Sequence, residues 1–245
     1  MGRIIRLSRP TARRIQEDPL PSTPKAALER LWPPAFKAAV FDFDGTISDT
    51  ADLWRQVDEA FLGSRGFSVP DDYANILSAL GFAGGAQYTI ETFHLHESVE
   101  EICDEWNRMG RALYEAHATL RPGVLPYIKA LREKGVPTAL ATTNDPDVLD
   151  ALQSVDINDL FDVRVHGKEV ARGKDHPDIY LEAARRLGVD PKGCIVFEDI
   201  PQGLHSARSA SMLACGVRSS DPAQNMELIR AEADLVLDDW VDLGL

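Results

Sequence analysis

The sequence predicts an α/β protein in which a doubly wound, Rossmann-like parallel sheet carries a small α-helical domain. Short apolar runs alternate with stretches of helical periodicity over most of the chain. This alternation is typical of a parallel sheet covered by helices on both faces. Residues 51–119 interrupt the alternation and contain only helix-like segments. We therefore divide the chain into an N-terminal extension (1–36), an α/β core (37–50 and 120–245) and an inserted helical domain (51–119).

The strands are predicted from runs that are short, apolar and rich in β-branched or aromatic residues. The first run, AFKAAVFDFD, ends at Asp44 and suits a central strand buried on both faces. Five further runs lie at 136–143, 162–166, 194–199, 213–217 and 233–238. The helical periodicities between them lie at 124–134, 145–154, 177–188, 201–210 and 222–231. Together they predict six parallel strands with helical connections.

The inserted region is predicted to be helical because no convincing strand appears in it. Its helices are expected to break where glycine, proline or histidine cluster. The expected breaks are Gly63-Ser64, Gly66–Pro70, Gly81–Gly85 and His94–Ser98. The glycine-containing segment from Leu80 to Gln87 is a candidate loop facing a ligand.

Composition excludes several classes of function. The net charge of −13 over 245 residues disfavours a nucleic-acid-binding protein, because phosphate backbones are bound by clustered Lys and Arg. No apolar run approaches the roughly 18 to 20 residues that a membrane span needs. The three cysteines have no metal-type spacing and suggest idle thiols in a reducing compartment. We expect a cytoplasmic protein that is a monomer or a homodimer.

The N-terminal extension differs in charge from the rest of the chain. Residues 1–36 contain seven Lys and Arg against three Asp and Glu. The segment from Met1 to Arg14 has five arginines and no acidic residue, as some transit peptides do, but no clear cleavage pattern follows it. A solvated arm and a segment that covers a sheet edge remain alternatives.

Two carboxylates stand where the first strand ends. Asp42 and Asp44 are separated by Phe43 and followed by Gly45-Thr46. Ligands bind at this edge in open α/β folds. Two carboxylates held close together repel each other unless a cation lies between them, and Mg²⁺ prefers such oxygen ligands together with a substrate phosphate. The pair predicts a magnesium and phosphate site.

The segment FDFDGTISDT resembles the first signature of the haloacid dehalogenase superfamily, and three later segments resemble its other signatures. Thr142, in LATTND, ends a predicted strand, and Lys174, in GKDHPDIYLEAARRLGV, precedes a predicted helix. Glu198 and Asp199, in IVFEDIPQG, end another strand. The resemblance extends from about residue 36 to 240 and is weakest in the inserted helices, which correspond to the family's cap domain.

The resemblance implies a mechanism. Asp42 would attack a phosphoryl group and form an aspartyl phosphate, and Asp44 would act as general acid and base. The phosphate would be bound by Thr142, Thr143, Asn144 and Lys174. Mg²⁺ would be held by Asp42, the backbone carbonyl of Asp44, Asp199 and, directly or through water, Glu198. The substrate would be a small phosphorylated metabolite.

Departures from the family pattern leave alternatives open. Asp175 follows Lys174 where relatives commonly have Pro, so Lys168 and Arg172 remain alternatives for the lysine. A β-phosphoglucomutase-like enzyme is a second hypothesis, although such members often have Val at the place of Thr46 and a cap histidine at the place of Trp54. A binding protein without catalysis is a third hypothesis, which the complete set of acidic residues disfavours.

Overall fold

The computed structural model describes residues 23–245, and its centre is a parallel sheet of six strands. The strands are β1 Ala38–Phe41, β2 Thr138–Thr142, β3 Val163–His166, β4 Cys194–Glu198, β5 Leu213–Val217 and β6 Leu235–Leu237. Their order is β3-β2-β1-β4-β5-β6, and every neighbouring pair is parallel. The predicted doubly wound fold is confirmed. Strand order reverses between β1 and β4, which is where such sheets form their ligand-binding crevice.

Ten α-helices accompany the sheet within residues 23–245. They are α1 Lys25–Leu31, α2 Ala51–Ser64, α3 Tyr73–Phe93, α4 Val99–His117, α5 Val124–Glu133, α6 Pro146–Leu149, α7 Ile157–Leu160, α8 Asp178–Leu187, α9 Pro201–Ser209 and α10 Met226–Glu232. Short 3-10 turns lie at Gly167–Glu169, Pro191–Gly193 and Trp240–Leu243. Among these described helices, none has the length and apolar character needed to cross a bilayer.

The central strands are buried on both faces because side chains alternate between the two layers of helices. On β1, Ala39 and Phe41 join the apolar cluster that includes α1 and α5, whereas Ala38 and Val40 join the cluster of α8 and α9. Phe41 stacks on Phe197 of β4 with ring centroids 4.8 Å apart. This packing fixes the strand ends that bear the acidic residues.

Helices α2, α3 and α4 follow β1 directly and bury an apolar cluster of their own, which includes Val57, Phe61, Tyr73, Ile102 and Trp106. We call these three helices the insert. Helix α4 begins with a capping box in which Ser98 accepts from the backbone N–H of Glu101 and the Glu101 side chain accepts from that of Ser98. The breaks predicted at Gly63-Ser64, Gly66–Pro70 and His94–Ser98 coincide with the ends of these helices.

The end of the predicted N-terminal extension packs against the sheet. Helix α1 contacts β6, the strand at one edge, and buries Ala27 and Leu31 in the main core. Before it, Thr23 donates to the carboxylate of Asp242. The segment Met1–Arg14, where a transit peptide is one alternative, lies outside the described residues.

Two local predictions were wrong, and a third is confirmed in part. The helix predicted at 145–154 ends at Leu149. The chain then begins a separate helix, α7, whose N-cap Asp156 accepts from the N–H of Asn158. The helix predicted at 222–231 begins only at Met226, since Asn225 is its N-cap. The break predicted at Gly81–Gly85 occurs at Gly81, whose non-helical backbone (φ +71°) divides α3 into two helical segments, whereas Gly84 and Gly85 are helical.

Candidate active site

Strand order brings the predicted site residues to one edge of the sheet. Strand β1 lies between β2 and β4, so the residues that end or follow these three strands are neighbours. They are Asp42 after β1, Thr142 at the end of β2, and Glu198 at the end of β4 with Asp199 after it. Residues that are distant in sequence therefore meet at the carboxyl edge, as the fold predicts.

The turn after β1 is held by contacts to its backbone. Arg121 donates to the carbonyl of Gly45 at 3.0 Å, and the indole N–H of Trp240 donates to that of Thr46 at 2.9 Å. Gly45 has φ +72°, and a Cβ there would lie 1.9 Å from a carboxylate oxygen of Asp199. Glycine is therefore required both by the backbone conformation and by the approach of Asp199.

Lys174 is buried between two carboxylates. Its ammonium donates to Oδ1 of Asp42 and to both carboxylate oxygens of Glu198, at 3.1 and 3.2 Å. Burial alone would lower the pKa of Lys174, but the charges of Asp42 and Glu198 outweigh burial and hold it above its ordinary value. The lysine therefore stays charged next to Asp42.

One ammonium does not balance the acidic residues around it. Oxygen atoms of Asp42, Glu198 and Asp199 lie within 4.8 Å of one another. Burial, followed by the charge of Asp42, raises the pKa values of Glu198 and Asp199 well above their usual range. A divalent cation on these hard oxygen donors would relieve this excess of negative charge, so the residues fit a metal such as Mg²⁺.

Asp44 is held by four hydrogen-bond donors. Thr50, Trp54 and Tyr114 donate to its Oδ1, and Asn144 donates to its Oδ2 at 2.7 Å. Burial and the nearby charge of Asp42 raise the pKa of Asp44, whereas the bonds from Thr50, Tyr114 and Trp54 act in the opposite direction. The carboxyl group is thus fixed in orientation and inclined to bind a proton.

The hydroxyl of Tyr114 connects the donors around Asp44. It accepts from the indole N–H of Trp54 at 2.9 Å and from the side-chain amide of Asn144 at 3.1 Å. Both neighbouring groups can only donate, so the proton of the tyrosine hydroxyl points to Asp44. Trp54 lies on α2 and Tyr114 on α4, so the insert contributes to the position of a core carboxylate.

The end of β2 approaches the same cavity. Thr143 and Asn144 line it together with Asp42, Asp44 and Lys174. Thr142 is buried behind them, where its hydroxyl accepts from the backbone N–H of Asn144 at 3.1 Å. Of the predicted phosphate-binding residues, Thr142 is the one that does not line the cavity in the described chain.

The insert touches the core beside Lys174. The backbone N–H of Lys174 donates to the carbonyl of Ala79 on α3 at 2.9 Å. A Cβ at Gly173 would lie 2.4 Å from that same carbonyl oxygen, so glycine permits the contact. Of the predicted segment Leu80–Gln87, Gly81 and Phe82 line the cavity.

The alternatives to Lys174 lie away from the acidic residues. Lys168 is exposed and pairs with Asp145, and Arg172 is exposed and pairs with Asp178. Sequence reasoning did not identify Tyr114, which no motif marks because it is distant in sequence from the signature it contacts. It did not predict the contact of Trp54 with Asp44 either, because this contact depends on how the insert docks.

Comparison with known proteins agrees with this geometry. A family model described as haloacid dehalogenase-like hydrolase matches residues 36–211. The chain is 34% identical over 195 residues to a Drosophila melanogaster protein named "Probable pseudouridine-5'-phosphatase", covering 77% of this chain and 83% of that one. It is 31% identical over 220 residues to "Beta-phosphoglucomutase" of Bacillus subtilis, with 82% and 92% covered.

A solved structure has the same fold. The crystal structure of CbbY from Rhodobacter sphaeroides in complex with phosphate matches with a TM-score of 0.73 and 27% identity, over 85% of this chain and 96% of that one. The chain belongs to the haloacid dehalogenase-like hydrolases. The prediction of an enzyme of this class, related to phosphatases that act on phosphoric monoesters, is confirmed.

Proposed function

We propose that this chain is a Mg²⁺-dependent phosphatase that hydrolyses a small phosphorylated metabolite through an aspartyl phosphate at Asp42. The observation that carries the proposal is the arrangement of two carboxylates with different surroundings at one strand end. Asp42 is paired with an ammonium, whereas Asp44 is surrounded by neutral donors and has a raised pKa. Such a difference in surroundings separates a nucleophile from an acid.

Asp42 is the proposed nucleophile. One of its oxygens is paired with Lys174, which can also neutralise charge on the incoming phosphoryl group. The other oxygen lies 3.5 Å from the hydroxyl of Thr46. Attack of a carboxylate oxygen on phosphorus would form the aspartyl phosphate and release the alcohol as leaving group.

Asp44 is the proposed general acid and base. Its raised pKa favours the protonated form that would give a proton to the leaving oxygen. The resulting carboxylate would then take a proton from the water that hydrolyses the aspartyl phosphate. Throughout both steps the donors from Thr50, Trp54, Tyr114 and Asn144 would hold the group in position.

Phosphate and metal would share the remaining residues. We assign Thr142, Thr143, Asn144 and Lys174 to the phosphoryl group, with Thr142 acting through the backbone that it orients. We assign Mg²⁺ to Asp42, Asp199, the backbone carbonyl of Asp44 and Glu198, which also holds Lys174. When bound, the ion would neutralise negative charge between the phosphoryl group and the carboxylates.

The insert is proposed to act as a cap domain spanning about residues 51–119, with the core formed by 37–50 and 120–245. A cap excludes water and positions the leaving group. Its contacts to Lys174 and Asp44 support this role. The cytoplasmic location and the oligomeric state stay predictions.

The proposal is tested by phosphate release from sugar phosphates, nucleotides and p-nitrophenyl phosphate, with Mg²⁺ or with a chelator. We expect phosphate to be released from a narrow set of esters. This release should require Mg²⁺ and should be lost in Asp42→Asn. Asp52→Asn, the same change on an exposed residue of α2, is the matched control and should retain activity. If wild-type protein releases phosphate from no ester, the proposal is wrong.

A phosphomutase is the second candidate, favoured by the similarity to the Bacillus subtilis protein. It predicts isomerisation of a hexose 1-phosphate when the hexose bisphosphate is supplied, with little net phosphate release. Inactivity in both assays would instead support a binding protein.

A further inference from the structure

The cavity above Asp42 has a wall that the proposed mechanism does not use. Helices α2, α3 and α4 form it, and most of its side chains are apolar. We call this surface the insert wall; its larger apolar side chains are Trp54, Val57, Leu77, Phe82 and Trp106, and its polar ones are Asp58, Asn75 and Ser78. The rings of Trp54 and Phe82 meet edge to face at 5.5 Å, and those of Phe82 and Trp106 at 6.1 Å. Such a surface suits the carbon skeleton of a small molecule.

Asp58 is the one charged residue on this wall within residues 23–245. It lies on α2 one turn after Trp54, so both side chains share a face of the helix. The residue is only 6% exposed, and no group within residues 23–245 donates a hydrogen bond to its carboxylate. Its oxygens are accessible from the cavity, so in the absence of a protein donor the partner of this carboxylate is supplied by water or by a ligand.

Positive charge is scarce in this cavity. Among the described residues that line it, Lys174 alone is a Lys, Arg or His, and it is bound by Asp42 and Glu198. Asp221 adds a further carboxylate to the lining. A second anionic group on the substrate would therefore face carboxylates, apolar rings and the neutral side chains of Asn75 and Ser78, with no free cation to pair with.

We propose that the substrate's leaving group carries no anionic group and presents a hydrogen-bond donor, a hydroxyl or an amine, to Asp58. This inference rests on the proposed phosphatase function and narrows its substrate class. It places sugar, polyol, nucleoside and amino-alcohol monophosphates within the class. It excludes bisphosphates and phosphorylated carboxylic acids.

The first test uses wild-type enzyme and esters matched in carbon skeleton. Glucose 6-phosphate is compared with 6-phosphogluconate and glucose 1,6-bisphosphate, and ribose 5-phosphate with ribose 1,5-bisphosphate. We expect kcat/KM to be at least about tenfold higher for the ester whose leaving group carries no charge than for each of its anionic counterparts. Glucosamine 6-phosphate distinguishes an amine from a hydroxyl as the preferred donor.

The second test changes Asp58. In Asp58→Asn, kcat/KM for the best donor-bearing ester, divided by that for p-nitrophenyl phosphate, should fall about tenfold or more. In Asp58→Lys, the ratio of bisphosphate to monophosphate turnover should rise at least about tenfold. Glu59→Gln removes a charge from the adjacent exposed position and should change neither ratio. Partial unfolding of a variant lowers kcat/KM for both esters by the same factor, so the ratio of the two values does not change.

The outcomes separate the two proposals. One outcome is that the wild-type enzyme releases phosphate from p-nitrophenyl phosphate and yet prefers the esters whose leaving groups carry a second anionic group. In that case this inference is wrong and the phosphatase proposal stands. Unchanged ratios in both Asp58 variants would likewise overturn it. If no ester at all is hydrolysed, the phosphatase proposal fails and the inference about its leaving group fails with it.

Discussion

The two sides of the cavity differ in polarity and in how many of their charged groups have partners within the protein. The side formed by the core, which we call the core floor, contains Asp42, Asp44, Lys174, Glu198 and Asp199, and four of these groups are bound to protein partners. The insert wall has mainly aromatic and aliphatic side chains, and its one carboxylate has no hydrogen-bond partner within residues 23–245. The difference indicates that the floor is fixed for one kind of chemistry, whereas the wall is left to be completed by a ligand.

The largest expected effect comes from disturbing the floor through Gly45. In Gly45→Ala, the new Cβ would overlap Asp199, so kcat/KM should fall at least about 100-fold. The measurement is Mg²⁺-dependent phosphate release over a range of Mg²⁺ concentrations.

Gly66→Ala is the matched control for this change. Gly66 also has positive φ, +82°, but nothing lies within 4 Å of its Cβ position. This variant should lose about 1–2 kcal/mol of unfolding free energy and retain activity. If both variants lose activity equally, backbone strain and not contact with Asp199 is responsible.

A smaller effect is expected where the insert supports the floor. Tyr114→Phe removes the hydroxyl that donates to Asp44 and accepts from Trp54 and Asn144. Because the lost contact orients the acid without binding substrate, kcat should fall roughly tenfold to 100-fold with little change in KM. Steady-state kinetics on the best ester measure both constants.

Tyr73→Phe provides the comparison within the insert. Tyr73 is equally buried, but its hydroxyl bonds to Thr89 at 2.7 Å, away from the core floor. Its removal should cost about 1 kcal/mol of stability and leave kcat unchanged. An unchanged kcat in Tyr114→Phe would show that the insert does not position Asp44.

The burial of Asp58 on the insert wall predicts how the unfolding free energy depends on pH. Burial, with a contribution from Glu59, raises the pKa of Asp58 from 3.8 to about 7. Between these pH values Asp58 keeps a proton in the folded protein that it releases in the unfolded chain, so its contribution to stability falls as pH rises from about 4 to 7 and is constant above. Asp58→Asn should therefore gain stability over wild type across this range, by roughly 4 kcal/mol at most.

Urea unfolding of both proteins at several pH values between 4.5 and 8 measures this difference. Other buried carboxyl groups also titrate, but they are present in both proteins and cancel in the comparison. Glu59→Gln, which removes only the smaller cause of the raised pKa of Asp58, should retain most of the pH dependence of the wild-type protein. If the difference in unfolding free energy between Asp58→Asn and wild type did not change with pH, the raised pKa of Asp58 would be contradicted.

The sequence was informative for the floor and much less so for the wall, for a physical reason. The floor residues end strands, and parallel strands of known order must meet at one edge, so short motifs around Asp42, Thr142 and Glu198 predict their proximity. Tyr114 and Asp58 are positioned by how helices of the insert pack on each other and on the core. Helix packing depends on the whole apolar surface, which no short motif describes.

The smallest predicted effect lies outside both regions, at the end of α9. Ser211 follows Ala210, the C-cap residue of this helix. Its φ is +63°, and the N–H groups of Ser211 and Met212 bond to the carbonyls of Arg208 and Ala207. This is a Schellman motif, whose left-handed residue is usually glycine.

Ser211→Gly should therefore relieve backbone strain and raise the unfolding free energy by up to about 1 kcal/mol, reduced by the greater chain entropy of glycine in the unfolded state. Ser209→Gly, a change of the same residue type in the last turn of the right-handed helix, should lower stability by about 0.5–1 kcal/mol. Thermal or urea unfolding measures both. Because neither residue touches the cavity, phosphate release and the preference among esters should stay at wild-type values, so any change in selectivity would show that the wall responds to strain outside it.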